Sequence, residues 1–189
     1  RHEAEMAFVA IGRRPDVGKL NLDAAGAAAG DVDAYGRSAN SRVYLVGDVS
    51  GGPMIANRAM AQAWVAGQHA AGAEVAPFQP ETVVAAIYSE PQVAQVGTLS
   101  GDDVATVAVP FAAGLKAQLG VEAEGFVKLA YGVENGRLCG GAAIGDHAAD
   151  VLAPVAVALQ AKMTIAEFGR LYGAHPTVSE LAFIAARQI

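Results

Sequence analysis

Phe126-Val127-Lys128-Leu129-Ala130-Tyr131-Gly132-Val133-Glu134-Asn135-Gly136-Arg137-Leu138-Cys139-Gly140-Gly141-Ala142-Ala143-Ile144 is the stretch on which the fold turns. Gly125 to Tyr131 and Leu138 to Ile144 read as strands, and Glu134-Asn135-Gly136 within Gly132 to Gly136 joins them as a hairpin. Upstream lie shorter strand patterns at Val83 to Tyr88, Gln92 to Gly97 and Thr106 to Pro110. Downstream, helical periodicity takes over at Ala148 to Lys162, Thr164 to Leu171 and Val178 to Gln188. Strands first and helices after them predict an α+β domain, a mostly antiparallel sheet with its helices grouped on one side.

Ahead of this domain the composition changes across Gly72 to Pro80, which reads as a linker. Further upstream the order is different. Val43-Tyr44-Leu45-Val46 reads as a short buried strand, followed by Gly47-Asp48, the glycines Gly51 and Gly52, Pro53, and an Ala-rich helix over Ile55 to Ala71. Ile55, Ala59, Gln62, Ala63, Ala66 and Ala70 recur on one helical face. Strand, Gly-rich turn and helix in that order belong to an α/β nucleotide-binding layer. Met6 to Ile11, closed by Gly12-Arg13-Arg14-Pro15, reads as another buried strand, and Leu22 to Ala28 as a short helix. The chain opens on Arg1-His2-Glu3 without an initiator Met, so the expectation is the back part of a longer protein.

The 189 residues are 53% hydrophobic and 17% charged, with a net charge of −6. That is a packed globular composition. Lys and Arg are outnumbered and unclustered, which argues against a nucleic-acid partner. No apolar run reaches the ~18–20 residues of a membrane span, and no signal-peptide pattern opens the chain. The single Cys139 suits a reducing compartment, with the cytoplasm as the expectation. Four scattered histidines and one cysteine offer no metal-ligand spacing.

The chemistry-bearing stretch is His175-Pro176-Thr177-Val178-Ser179-Glu180. An imidazole titrates near neutrality, and a carboxylate bonded to one ring nitrogen fixes which nitrogen is free to take a proton. Thr177-x-x-Glu180 also fits a capping box at the start of the last helix, and both roles are expected of Glu180. Asp48, at the end of a strand, is placed either to hold sugar hydroxyls at a crevice rim or to cap a turn. The helix start around Met54 to Asn57 offers backbone donors to an electronegative atom. Cys139 is expected as a small core hydrophobe, His147 as a capping or surface residue, and His69 as a helix-end residue favouring the dipole.

Taken in order, several segments resemble the flavin-dependent pyridine nucleotide–disulfide oxidoreductases, most closely the dihydrolipoamide dehydrogenase branch. These are Ala10-Ile11-Gly12-Arg13-Arg14-Pro15, Val46-Gly47-Asp48 with Gly52-Pro53-Met54-Ile55-Ala56, and Ile87 to Gly97. Pro110-Phe111-Ala112-Ala113, Glu124-Gly125-Phe126-Val127-Lys128 and Ala174 to Glu180 complete the series. The resemblance implies residues 1–15 as the end of an NAD-binding domain and 16–78 as the last part of an FAD-binding domain, both Rossmann-like layers. It implies 79–189 as an α+β dimerisation domain. Gly12 would lie near the nicotinamide of NAD, and Gly47 and Asp48 would lie at the FAD ribityl chain. Met54, Ile55, Ala56 and Asn57 would face the flavin ring, with Asn57 standing where a His is usual.

His175 would be the acid–base for a dithiol substrate and Glu180 its orienting partner, serving the other subunit of a homodimer. A 2-oxoacid dehydrogenase complex, reached through its lipoyl domains, would be the wider partner. The family's two GxGxxG turns and its Cys-x4-Cys redox pair are not in these residues, so the chain alone is expected to bind FAD weakly or not at all and to lack dehydrogenase activity. Ser89-Glu90-Pro91 and Leu99 to Asp103 depart from the family pattern. Glutathione-type reductases, mercuric reductases, flavin transhydrogenases and a non-catalytic dimerisation module share parts of it.

Overall fold

The computed structural model describes residues 2–120 and 123–189. Arg1, where the expected NAD-binding segment begins, lies outside them. The chain divides into two compact units, Arg1–Phe78 and Gln79–Ile189.

The second unit is built on one five-stranded antiparallel sheet. Its strands are β1 (Ala85–Ile87), β2 (Val93–Gly97), β3 (Val104–Pro110), β4 (Phe126–Gly132) and β5 (Leu138–Ile144), in the spatial order β1-β2-β5-β4-β3. The β4–β5 hairpin that the sequence predicts is the centre of this sheet. Its turn closes through Gly136 N–H to Gly132 O (2.8 Å) and Arg137 N–H to the Asn135 side-chain oxygen (2.8 Å). Asn-Gly serves here because Gly136 sits at φ +65°, a backbone region that glycine enters freely.

Alternation along the strands sorts the side chains. Ala94, Val96, Val127, Leu129 and Ala143 are buried and belong to one core with residues of α3 (Ala148–Gln160), α4 (Ile165–Gly169) and α5 (Glu180–Ala186). Thr106 and Ala108 of β3, Gln95 of β2 and Ala85 of β1 fall between them and are exposed. Helices α3 and α5 pack on the sheet, α3 against β5 and β2, α5 against β4 and β3. A short helix, α2 (Leu115–Gln118), follows β3. The loop between α3 and α4 returns to the hairpin, where Leu138 N–H donates to Met163 O and Ile165 N–H to Gly136 O.

The first unit contains α1 (Ala56–Ala70) and two 3-10 turns, Leu22–Ala25 and Gly47–Ser50. Here three expectations are corrected. Met6 to Ile11 is not a strand: Phe8 is 88% and Ile11 93% exposed. An apolar run makes a strand only if a neighbouring strand takes its backbone hydrogen bonds, and none of the described residues does so. Val43 to Val46 forms one isolated bridge, Tyr44 with Arg37: Ser38 N–H donates to Val43 O and Leu45 N–H to Gly36 O, and the pairing extends no further. The helix at Leu22 to Ala28 is shortened to a single 3-10 turn, which ends at Gly26 in a left-handed conformation. Helix α1 forms as expected, but its packed side is narrower: Gln62 and Ala66 are buried, while Ala63 and Ala70 are exposed.

Candidate functional site

The His175 site is assembled by α5 and the loop leading into it. The His175–Pro176 peptide is cis. His175 Nδ1 lies 2.9 Å from Glu180 Oε2, with the imidazole 62% exposed and the carboxylate 13% exposed. An ionised carboxylate can only accept a hydrogen bond, so beside one a neutral ring carries its proton on Nδ1 and keeps its lone pair on Nε2. The half-hidden carboxylate orients the ring. The exposed ring is the part that can meet another molecule.

The expected capping box at Thr177 is not formed. Thr177 Oγ1 donates to Ala174 O (2.8 Å), closing the turn around Pro176, and the cap position falls to Ser179, whose side chain makes no capping bond. Glu180 is committed to the imidazole, and Thr177 is one turn too early to reach the first helical N–H groups. A capping box does occur at α4. There Glu167 N–H donates to Thr164 Oγ1 (3.2 Å) and Thr164 N–H donates to Glu167 Oε2 (2.8 Å). The Thr164 N–H, and then its hydroxyl, hold the Glu167 carboxyl below the ordinary carboxylate range.

Ser179 has another use. Pro154 stands inside α3 and has no N–H, so the Asp150 carbonyl one turn back is left without its helical partner. The Ser179 hydroxyl donates to that carbonyl at 3.3 Å, which ties the loop before Glu180 to α3. Below His175 lies an open cleft of about 440 Å³, whose walls include Leu115, Tyr172, Gly173, Phe183 and Arg187.

Gly12, Gly47, Asp48 and Met54 to Asn57 belong to the first unit. Asp48 is exposed within the 3-10 turn Gly47–Ser50. A buried amide holds that turn to α1: Gly47 N–H donates to Gln62 Oε1 (2.9 Å), and the Ser50 hydroxyl lies 2.7 Å from Gly47 O and 3.0 Å from Gln62 Oε1. Gly47 is required twice. Its φ is +73°, and a Cβ there would stand 3.2 Å from Ala59 Cβ. Ile55 provides no side-chain cap for α1, and the start of a 15-residue helix carries the positive end of its dipole. An exposed carboxylate beside an uncapped helix start suits the hydroxyl-rich chain and ring oxygen of FAD. Gly12 is exposed at φ +131° with nothing within 4 Å of its Cβ position, and the described residues build no pocket around it.

Sequence reasoning missed several partners. Arg13 Nη2 donates to Met54 O (2.9 Å), joining the Gly12 segment to the start of α1. His69 is not simply a helix-end residue: it stacks on Tyr35 with ring centroids 4.2 Å apart and bonds Tyr44 Oη through Nδ1 (2.8 Å). His147 precedes α3 without capping it and pairs with Asp150 Oδ2 (2.8 Å) on the surface. Cys139 is half-buried, not enclosed in the core. Arg187 is bonded to the loop ahead of His175 and lines the same cleft. Apart from His147 and Asp150, three residues apart, these contacts follow no short sequence spacing, and the long Arg and aromatic side chains carry no periodic signal.

Residues 83–185 match the family described as pyridine nucleotide-disulphide oxidoreductase, dimerisation domain, and residues 1–63 match pyridine nucleotide-disulphide oxidoreductase. Similar curated proteins include dihydrolipoyl dehydrogenases from Halobacterium salinarum, 33% identical over 97% of this chain, and from Mycobacterium tuberculosis, 35% identical over 94%. This chain spans 41% of the length of each. Among solved structures, LpdA from Mycobacterium tuberculosis aligns with a TM-score of 0.85 at 28% identity, covering 94% of this chain and 41% of that one. The HOCl-induced flavoprotein disulfide reductase RclA from Escherichia coli shares the fold, with a TM-score of 0.81 at 20% identity over 95% of this chain and 44% of that one. No helix among the described residues is long and apolar enough to cross a membrane.

Proposed function

The chain belongs to the pyridine nucleotide-disulphide oxidoreductase family, and from that premise we propose that it is part of an FAD- and NAD-dependent dithiol oxidoreductase, a dihydrolipoamide dehydrogenase. The observation that carries this reading is the 2.9 Å pair between His175 Nδ1 and Glu180 Oε2, with the imidazole 62% exposed. Residues 1–15 would end an NAD-binding domain, 16–78 an FAD-binding domain, and 79–189 would form the dimer interface.

His175 Nε2 takes the proton of the substrate thiol, because the thiolate is the form that exchanges with a disulfide. As the ring becomes an imidazolium, Glu180 accepts from Nδ1 and stabilises the new charge. The direction reverses when a leaving thiolate is reprotonated. FAD, when bound, would relay the electrons between the dithiol–disulfide couple and the nicotinamide. Asp48 would hold its ribityl hydroxyls, and Met54 to Asn57, at the start of α1, would face its ring, where the positive end of the helix dipole favours an electronegative atom. An exposed imidazole on a dimerisation domain is suited to serve the active site of a second copy, so the proposed unit is a homodimer. Dihydrolipoamide as substrate points to a 2-oxoacid dehydrogenase complex as the wider partner, and the single Cys139 suits the reducing cytoplasm.

The test is His175→Gln in the whole flavoprotein that carries these residues. Dihydrolipoamide-dependent NAD reduction should fall by about 10²–10⁴-fold, the usual range for a lost general base, at unchanged flavin content. Dithiol turnover untouched by the substitution would sink the reading and leave a non-catalytic dimerisation module. Turnover with glutathione in place of dihydrolipoamide would move the chain to another branch of the family.

A further inference from the structure

Three side chains of α5 and its C-cap face the segment that carries His175. Glu180 bonds the imidazole. Phe183 tilts against Phe168 with ring centroids 4.8 Å apart, and its ring lies 3.1 Å from where a Cβ at Gly173 would stand. Arg187, the C-cap residue, donates from Nε to Gly169 O (2.8 Å) and from Nη2 to Leu171 O (2.6 Å), with its guanidinium carbon 4.6 Å from the centroid of the Tyr172 ring. Positions 180, 183 and 187 share one helical face, and at about 1.5 Å per residue the outer two are roughly 10 Å apart. One short helix therefore grips the 169–175 segment at both ends.

The grip at Arg187 has a specific chemistry. Gly169 closes α4, so its carbonyl is among those a helix leaves without partners at its C-terminus, and Leu171, beyond the C-cap Arg170, adds a loop carbonyl. A guanidinium suits them because it is planar, always charged and donates in two fixed directions. Beyond this anchor, Tyr172 to His175 are exposed. The loop has no core of its own to hold it.

We propose that Arg187 is a positioning residue for the acid–base pair: by fixing the Gly169–Tyr172 end of the loop to α5, it keeps His175 Nδ1 in register with Glu180 Oε2. The proposal rests on the catalytic reading of His175 for its consequence but not for its geometry. Losing the fork lets the loop swing about its α4 end, and the imidazole then samples positions where no carboxylate selects the Nδ1–H tautomer.

The experiment records imidazole ¹⁵N shifts of the whole flavoprotein that carries these residues, at a pH where the ring is neutral, for the native sequence, Arg187→Gln and Arg187→Lys. The native chain should show the Nδ1–H tautomer of His175 as the major form. It should become the minor form in Arg187→Gln and be partly restored in Arg187→Lys, which keeps the charge and one donor but not the fork. Unchanged amide exchange in β4 and β5 certifies the fold, and if Arg187→Gln fails that check, Arg187→Lys carries the comparison.

A tautomer ratio that stays native in a folded variant overturns the proposal. In the whole flavoprotein, dithiol turnover should fall by about 10- to 100-fold, the scale of a misplaced catalytic group. NADH oxidation by an artificial electron acceptor needs no thiol deprotonation and should be unaffected. Loss of the tautomer with full dithiol turnover would uphold the clamp and refute the catalytic role of His175.

Discussion

The two units of this chain use similar amounts of apolar sequence to different ends. In Gln79–Ile189 the pattern closes on itself, and Val127, Leu129, Phe168 and Leu181 are fully enclosed between sheet and helices. Among the described residues of Arg1–Phe78 only Ala27, Leu45 and Ala66 are buried hydrophobics, while Phe8, Ile11, Met60 and Trp64 stand in solvent. Local periodicity is equally clear in both. What differs is whether the described residues supply a second surface for each apolar face to meet.

The sharpest way to break that contrast is to cut a large side chain from the closed core. Phe168→Ala should cost the second unit about 3–5 kcal/mol, the range for a buried Phe that leaves a cavity. Hydrogen exchange read by segment is the measurement. Protection should fall in β4, β5 and α5 and stay as it was around Gly47 and α1. An equal loss in both places would mean that the two units share one cooperative transition.

In the first unit the comparable device is polar. Gln62 is the only buried side chain of α1 besides Ala66, and it satisfies the Gly47 N–H that places Asp48. Gln62→Ala leaves that donor inside without a partner, at a cost of about 1–3 kcal/mol. The Gly47 and Ser50 amides should exchange faster, with β4 unaffected. If their exchange does not change, the 3-10 turn is held by something other than the amide.

The same contrast explains how much could be read from the sequence. The β4–β5 hairpin, the strand–strand–helix order of the second unit and the position of α1 were legible because each is decided within a dozen residues. The His175–Glu180 pair was expected from its place in the family series and not from its five-residue spacing, which fits a capping box equally well. The Met6 to Ile11 strand failed because a strand is a property of a pair, and one apolar run does not bring its neighbour with it. The capping box failed for a subtler reason. Thr177-x-x-Glu180 and Thr164-x-x-Glu167 carry the same pattern, but α5 starts at Glu180 with Ser179 as N-cap, Thr177 bonds Ala174 O and Glu180 bonds the imidazole. Arg187 was invisible because a guanidinium eighteen residues from Gly169 meets it only through the packing of α4 on α5.

The smallest effect expected tests those twin capping boxes. Thr164→Ala removes the N-cap oxygen of α4 and should cost the second unit about 1 kcal/mol at neutral pH; Thr177→Ala should leave α5 uncapped as before and weaken only the turn to Ala174. The pH dependence follows from Glu167. Its carboxyl is held below the ordinary range by the Thr164 N–H and then by the hydroxyl, so it binds its proton less readily folded than unfolded. The stability it adds is therefore present above the ordinary carboxylate value and lost as pH falls through the lowered one. Thr164→Ala deletes the hydroxyl's share, so urea denaturation should show the gap between native and variant narrowing on acidification. It should not close, because the Glu167 N–H to Thr164 Oγ1 bond carries no charge to titrate. Asp33 in the first unit is also held low: its burial pushes the other way and is outweighed by the Arg37 and Tyr35 N–H groups and the Arg37 charge. Acid should thus loosen both units, and a gap at Thr164 that widened instead would mean that Glu167 is protonated more readily in the folded chain.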